Sequence, residues 1–311
     1  MCHYSERKQK KMANPNLKEN KFKRAVAVSI RGIVKFFSKK KYIELQYRYI
    51  THHKLNLKNP VRYTEKLQYL RYYVYPKDKD VIRCAGRVGV REYIKEIGLE
   101  DLLISVIGIY DYFDDIDFDK LPNQFAMKCT HGSGMNYICF DKSQINKSEL
   151  KKKFDKWLKT NYGKKTIELH YSSIKPQIII EELMLENNKL PTEYKIHVFN
   201  GVAKSLYVVT ARGIDIRYNN YYIDWTPFDG SQFNGWKKTD YPLKKPENFE
   251  NMVVLSEKIA KKFPFVRVDL YDVDGEIYFS EMAFTPAKGT LILDDDKADF
   301  EMGEWLDITA N

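Results

Sequence analysis

Cysteine is scarce in this 311-residue chain, and none of the four is placed for chemistry. Cys2, Cys84, Cys129 and Cys139 form no CxxC pair and share no ligand spacing with histidine. A zinc cluster or a disulfide framework therefore finds no support, and buried free thiols in a reducing compartment are expected. Long apolar runs are missing too. No stretch approaches the roughly 20 apolar residues that cross a bilayer, and the opening MCHYSERKQKKMANPNLKEN has no apolar core of the kind that marks a secretory signal. The expected location is the cytoplasm. The chain also has no internal repeat, no low-complexity tract outside its basic N-terminus, no convincing Cys-His or Ser-His pairing and no recognised nucleic-acid motif.

What is present is a globular composition. A hydrophobic share of 43% and an aromatic share of 14% are too high for a chain that stays open. The net charge of +10 favours anionic partners: nucleotides, nucleic acid, acidic sugars or anionic lipid. In FKRAVAVSIRGIVKFFSKKK, residues Phe22, Val26, Ile30, Ile33 and Phe37 recur at helical spacing among Lys and Arg. Such a helix suits either peripheral contact of residues 21–41 with a membrane surface or packing on the protein's own core.

Further along, residues 42–75 read as helix, turn at Asn59 and Pro60, and helix. GRVGVREYIKEIGLEDLL is a helix broken at Gly98, and LISVIGIYDYFDD a short buried strand with an acidic connector. The acids at Asp111, Asp114, Asp115, Asp117 and Asp119 lack calcium-loop spacing and read as solvated surface. From Phe125 the texture is that of a sheet. FAMKCT and YICFD flank the glycine loop THGSGMN as neighbouring strands, SELKKKFDKWLKTNY is a helix, and QIIIEELML, EYKIHVFNG, AKSLYVVTA and IRYNNYYI are strands. Residues 224–246, rich in Gly, Pro and Trp, form a long loop and a candidate lid. Pro246 opens a last helix before the hairpin.

That hairpin, FPFVRVDLYD and GEIYFSEMAF around Asp274 and Gly275, is the most informative stretch. Alternation puts Arg267 and Asp269 on one face, and Glu281 with Ile277 and Phe279. A two-residue turn opposes Asp269 to Ser280, whereas a three-residue turn with a glycine-associated bulge opposes it to Glu281; the second register is expected. Two opposed carboxylates repel unless a cation or proton lies between them, which makes Mg²⁺ the natural guest. By pattern alone, an ordinary hairpin whose acids reach solvent fits as well.

Taken in order, LPNQFAMKCTHGSGMNYICFDKS, IKPQIIIEELM, YKIHVFNG and FPFVRVDLYDVDGEIYFSEMAFTPAKG, with YTEKLQYLR and GVREYI upstream, resemble the ATP-grasp superfamily over roughly residues 60–308. In detail they resemble its TupA-like branch, associated with teichuronopeptide, capsule and other surface polysaccharides. The resemblance implies an α+β fold with ATP held between two lobes. Residues 1–60 are then a basic helical region, 61–122 the N-terminal part of the ligase core, 123–183 the small lobe with the glycine loop, and 184–311 the large lobe with the metal hairpin.

The resemblance also implies roles. Lys128 and Arg87 would meet phosphate, with Arg87 standing where many relatives carry lysine. Gly132, Ser133 and Gly134 would close over the phosphates, Glu181, Glu182 and Leu183 would form the adenine hinge, and Asp269 and Glu281 would hold Mg²⁺. Lys195 and Arg267 would lie near phosphate or the acyl intermediate; His131, and more weakly His197, are further candidates. Ala283 stands where the wider superfamily places an asparagine ligand, so a second metal ion would be held less firmly. The implied activity is an ATP- and Mg²⁺-dependent carboxylate–amine ligase working through an acyl phosphate. It would attach an amino acid or amine to a uronic-acid carboxylate of a small-molecule or lipid-linked saccharide, without a nucleic-acid partner. Glycosyl transfer in the same pathway, and a non-enzymatic polyanion-binding module, are the alternatives.

Overall fold

The computed structural model describes residues 32–232, 236–293 and 295–309. Of the basic N-terminal stretch, everything before residue 32 lies outside that range, as does Cys2. Helix α1 (Lys39–Thr51) starts at Ser38, whose hydroxyl accepts from the Lys41 amide, and stops at His52 in the left-handed region. Helix α2 (Tyr63–Tyr69) runs on through one π turn, Leu70–Val74. Asp78 caps α3 (Lys79–Ala85), and α4 (Gly89–Glu96) ends just before Gly98, whose φ of +68° stops it where expected.

The small sheet has strand order β1-β4-β2-β3, all antiparallel: β1 (Val106–Tyr110), β2 (Phe125–Cys129), β3 (Asn136–Cys139) and β4 (Ile178–Glu182). Phe125, Met127, Cys129, Ile178 and Ile180 meet Leu150 and Phe154 of helix α5 (Lys147–Leu158) in one core. Strand β1 is not the buried strand its apolar sequence suggests. It pairs only with β4, at the sheet edge, and leaves Val106 and Ile109 exposed. The short helix α6 (Tyr162–Thr166) leads from α5 toward β4.

The large sheet runs β11-β10-β5-β6-β7-β9. Its strands are β5 (Glu193–Phe199), β6 (Val202–Thr210), β7 (Arg217–Tyr222), β9 (Lys237–Lys238), β10 (Phe265–Val273) and β11 (Glu276–Ala283). One face, carrying Ile196, Val198, Leu206, Val208, Val268 and Leu270, packs against Phe249, Met252 and Ile259 of helix α7 (Phe249–Ala260) and against α2 to α4. Residues 61–122 thus divide between two bodies: their helices cover the large sheet, while β1 joins the small one.

The described part of 224–246 is tied into the sheets and does not border the cleft between the small and large sheets. Strand β8 (Ser231–Gln232) pairs with β12 (Ile292–Leu293), and β9 adds in parallel to β7. Trp225 stacks on Tyr221 with ring centroids 4.6 Å apart, and its indole donates to the Leu243 carbonyl at 3.0 Å. The chain closes with α8 (Asp296–Trp305) against α2, where Asp299 accepts from the Thr64 amide and hydroxyl.

Candidate active site between the two sheets

The second face of the large sheet is polar, and the register lines its side chains up in rows. Tyr207, Lys195, Asp269 and Glu281 stand opposite one another across β6, β5, β10 and β11, and beside them run Ser205, His197, Arg267 and Ala283. Asp269 does face Glu281, by a different route from the expected one. The turn is the two-residue Asp274–Gly275, both at positive φ, with Val273 opposite Glu276. The extra residue is Ser280, bulged where Asp269 pairs with Glu281 but Leu270 with Phe279. The bulge also separates Glu281 from Phe279: Phe279 enters the apolar core with Leu270, and Glu281 turns to the polar face.

These acids are held by cations. Asp269 is 0% exposed and accepts from Arg267 Nε at 2.6 Å, from Arg267 Nη2 at 2.7 Å and from Lys195 Nζ. Lys195 also meets Glu193 at 2.7 Å, and Arg212 pairs with the same Glu193, its Nη2 donating to one oxygen at 2.7 Å while its Nε lies 2.7 Å from the other outside hydrogen-bond geometry. Burial alone would raise the Glu193 carboxyl, but Lys195 and Arg212 outweigh it and bring it down to about 2. Burial pulls the Arg267 guanidinium down; Asp269, Tyr207 and Glu281 overcome that and hold it charged. Glu281 is looser. A third of its side chain is exposed, and its contacts to Arg87 at 3.4 Å and Arg267 at 3.3 Å are long. Burial raises its carboxyl, and Arg87, Lys195 and Arg267 together hold it below the ordinary value.

From the small sheet, Lys128 and Glu181 lie diagonally on one face, with Lys128 Nζ 2.7 Å from Glu181 Oε2. Arg91 of α4 takes the other carboxylate oxygen at 3.1 Å. The glycine loop between β2 and β3 approaches α6 so closely that a Cβ on Gly132 would lie 2.6 Å from both the Tyr162 ring and the Met135 methyl. Gly134 has a φ of +72°, which only glycine adopts without strain.

Between the sheets lies a cleft of ≈ 220 Å³, bordered by Arg87, Gly132, Ser133, Glu181, Arg267 and Glu281 among others. Lys128 stands one contact behind it through Glu181, Asp269 one contact behind it through Arg267, and Lys195 behind Asp269. Gly134, Glu182 and Leu183 do not border it, and Glu182 is exposed at the end of β4. Two sequence candidates are turned away from it. His131 is buried, with its ring Nε2 3.2 Å from the Trp157 carbonyl at the end of α5; burial lowers its pKa, although the Trp157 and Thr160 carbonyls pull the other way. His197 is buried beside Ser205, and burial together with Arg267 and Lys195 brings it down to about 3, so it is a neutral packing group.

A family model described as TupA-like ATP-grasp matches residues 65–307. The chain belongs to the TupA-like ATP-grasp family. Members of this family bind ATP and Mg²⁺ and are ATP-dependent ligases. Among solved structures, the chain is similar to the D-alanine–D-alanine ligase of Bacillus anthracis complexed with ATP, at 15% identity over 66% of this chain and 55% of that one, with a TM-score of 0.40. The Helicobacter pylori D-alanine–D-alanine ligase gives 13% identity, 79% and 67% coverage and a TM-score of 0.41. Phosphoribosylamine–glycine ligase from Thermotoga maritima gives 14%, 70% and 50%, and 0.39. The chain spans little more than half the length of the Bacillus anthracis enzyme. No curated protein matches it.

The cleft fits the groups that an ATP-grasp protein binds. Arg87 carries a buried Nε with no partner, a donor left for an anion. Glu281 presents a loosely held carboxylate, a hard oxygen ligand of the kind Mg²⁺ takes, whereas Asp269 directly opposite is buried with both oxygens engaged by Arg267 and Lys195 and would join it only by giving up one of those contacts. Sequence reasoning missed Arg91, although it lies in the quoted GVREYI, because nothing local pairs a helix arginine with an acid 90 residues away. It also missed Glu193, whose burial depends on the sheet register, Arg212, which reaches Glu193 from the turn after β6, and Glu168, which borders the cleft from the connector after α6.

Proposed function

We propose that this chain is an ATP- and Mg²⁺-dependent ligase that converts an acceptor carboxylate to an acyl phosphate and then to an amide. The acceptor is a uronic-acid carboxylate of a surface-polysaccharide precursor, free or lipid-linked, and the nucleophile is an amino acid or another amine. The observation that carries this reading is convergence. A glycine loop from one sheet and Glu281 from the other meet at a single cleft that Arg87, Arg91 and Arg267 border, with Asp269 buried opposite Glu281 and Lys128 behind Glu181.

Each group has a task in this reading. Arg87 and Lys128 offset charge on the phosphate being transferred, and Arg267, its Nε and Nη2 fixed by Asp269 and its Nη1 by Tyr207, adds a rigidly placed positive charge beside the acyl phosphate. Backbone N–H groups around Gly132 close over the phosphates and exclude water from the acyl phosphate. Glu281 and Asp269 would hold Mg²⁺, whose charge would offset that of the phosphates. No enzyme nucleophile is needed. The cysteine that borders the cleft, Cys84, is buried, and burial pushes its thiol up to about 12, far from a reactive thiolate.

ATP places the reaction in the cytoplasm, and peripheral membrane contact is part of the same reading. Ile33, Phe36 and Phe37 are 60%, 86% and 80% exposed beside Lys35 and Lys39 to Lys41, a combination suited to anionic lipid. No described helix is long and apolar enough to cross a membrane.

The test crosses ATP and Mg²⁺ with uronic acids and amino acids, measures ADP, and weighs any adduct. ADP with an amide-sized adduct, lost in Asp269→Ala and Glu281→Ala, is expected. ADP release that needs no carboxylate, or turnover unchanged in both variants, would overturn the proposal.

A further inference from the structure

The cleft has a second end that the phosphate chemistry leaves unused. Beyond Glu281 it is bordered by Glu168, Tyr171, Thr285 and Lys288. Glu168 is only 4% exposed, and one of its oxygens accepts from the Thr285 hydroxyl at 2.6 Å. The other, Oε2, is buried with no partner, and Glu168 forms no ion pair among the described residues. A buried carboxylate oxygen without a donor is costly and calls for a cationic or hydrogen-bonding guest.

The nearest buried cation does not fill that role. Arg71 is 0% exposed and senses the Glu168 charge, but its N–H groups are spent elsewhere: on the carbonyls of Thr166, Ile167 and Lys288 and on Gln68. Those bonds fix the opposite wall. Arg71 and Gln68 grip the Lys288 carbonyl at 2.8 Å each, and Gln68 takes the Gly289 carbonyl at 2.7 Å. The segment so held contains Ala287 at φ 47° and Lys288 at φ 62°, two non-glycine residues in the left-handed region. Strain of this kind persists only where surroundings impose it, and it gathers at ligand sites. The segment directly follows the strand that carries Glu281, so this end adjoins the place of phosphate transfer.

We infer that Glu168, oriented by Thr285, forms the subsite for the ammonium group of the amine co-substrate. The inference rests on the ligase reading above and names the residue that selects the nucleophile. The ammonium docks on Oε2 and gives one proton to it. The freed nitrogen lone pair attacks the acyl carbonyl carbon, and the C–N bond forms as the bond from carbon to the phosphate oxygen breaks. Phosphate leaves with that electron pair, and the second proton lost from nitrogen goes to the departing phosphate.

Glu168→Gln keeps the size of the side chain and an oxygen for Thr285 while removing the charge. The assay pairs two nucleophiles over a panel of uronic acids with ATP and Mg²⁺: hydroxylamine, uncharged at neutral pH, which traps the acyl phosphate as a hydroxamate, and the set of amino acids. The variant should keep the wild-type rate of hydroxamate formation and the wild-type thermal shift with ATP and Mg²⁺. Its KM for the amino acid should rise about ten- to hundred-fold, the range of a lost charged hydrogen bond. Equal losses with both nucleophiles would make Glu168 structural and overturn the inference, as would an unchanged KM. Wild-type hydroxamate without any accepted amine would also overturn the inference while leaving acyl-phosphate chemistry standing. Absence of wild-type hydroxamate would bring down the ligase reading itself.

Discussion

Replacing Lys195 with methionine tests the buried charge network behind the cleft. Four cations, Lys195, Arg212, Arg267 and Arg87, face three acids, Glu193, Asp269 and Glu281, so removing Lys195 leaves the charges even. Methionine fills the volume of the lysine stem and removes one contact from Asp269 and one from Glu193. Each acid keeps a guanidinium partner, Asp269 the Arg267 fork and Glu193 the Arg212 ion pair with its Nη2 hydrogen bond, so neither is stranded. Two charged hydrogen bonds are worth about 1.5–3 kcal/mol each, and the variant no longer buries an ammonium group, which recovers part of that sum. A net loss of about 3 kcal/mol follows, at the lower edge of the range for breaking a buried pair.

The pH dependence sharpens the test. With its carboxyl at about 2 in the fold against an ordinary 4.5, Glu193 stabilises the protein fully above pH 4.5, and that contribution fades as the pH falls toward about 2. Without Lys195 the folded-state value rises and the contribution shrinks, so the gap between wild type and variant should be widest above pH 4.5 and close on acidification. Urea unfolding at pH 7, 5 and 3 measures it. A loss under about 0.5 kcal/mol at pH 7, in the range of ordinary surface substitutions, would refute the network, as would a gap independent of pH.

Gly132→Ala should weaken ATP binding without unfolding the protein, because the new methyl meets the Tyr162 ring and the Met135 methyl and must push the loop off α6. Nucleotide titration should show a loss of at least about tenfold, the equivalent of roughly 1.4 kcal/mol, while the melting temperature without ATP moves little. Phe36→Ser with Phe37→Ser should reduce binding to phosphatidylserine vesicles in a flotation assay and leave hydroxamate formation by the soluble protein unchanged.

Much of the fold was legible because its signals are local. Apolar alternation marked β5, β6 and β10, the helical spacing of Phe249, Met252, Ile259 and Phe263 marked α7, and Gly98 marked the end of α4. Strand β1 and residues 224–246 misled for one reason. An apolar run shows that a segment wants a partner without saying whether one neighbour or two will cover it, and β1 received one. Length likewise suggested a lid at 224–246, while Trp225, β8 and β9 tie that segment into sheets.

Of the site, the residue types and their order along the chain were determined by the sequence: the glycines of the loop, Lys128, Glu181, and two acids a hairpin apart. Only the tertiary structure decided which of them face one another. The bulge at Ser280, a choice of register that costs little locally, turns Glu281 from the Phe279 side to the Asp269 side. Packing on α5 turned His131 inward, and contacts spanning 90 or more residues supplied Arg91 to Glu181 and Thr285 to Glu168. Backbone propensity acts over a few residues, whereas a buried charge takes its partner from whatever the packed sheets bring within about 3 Å, and no local pattern records that choice.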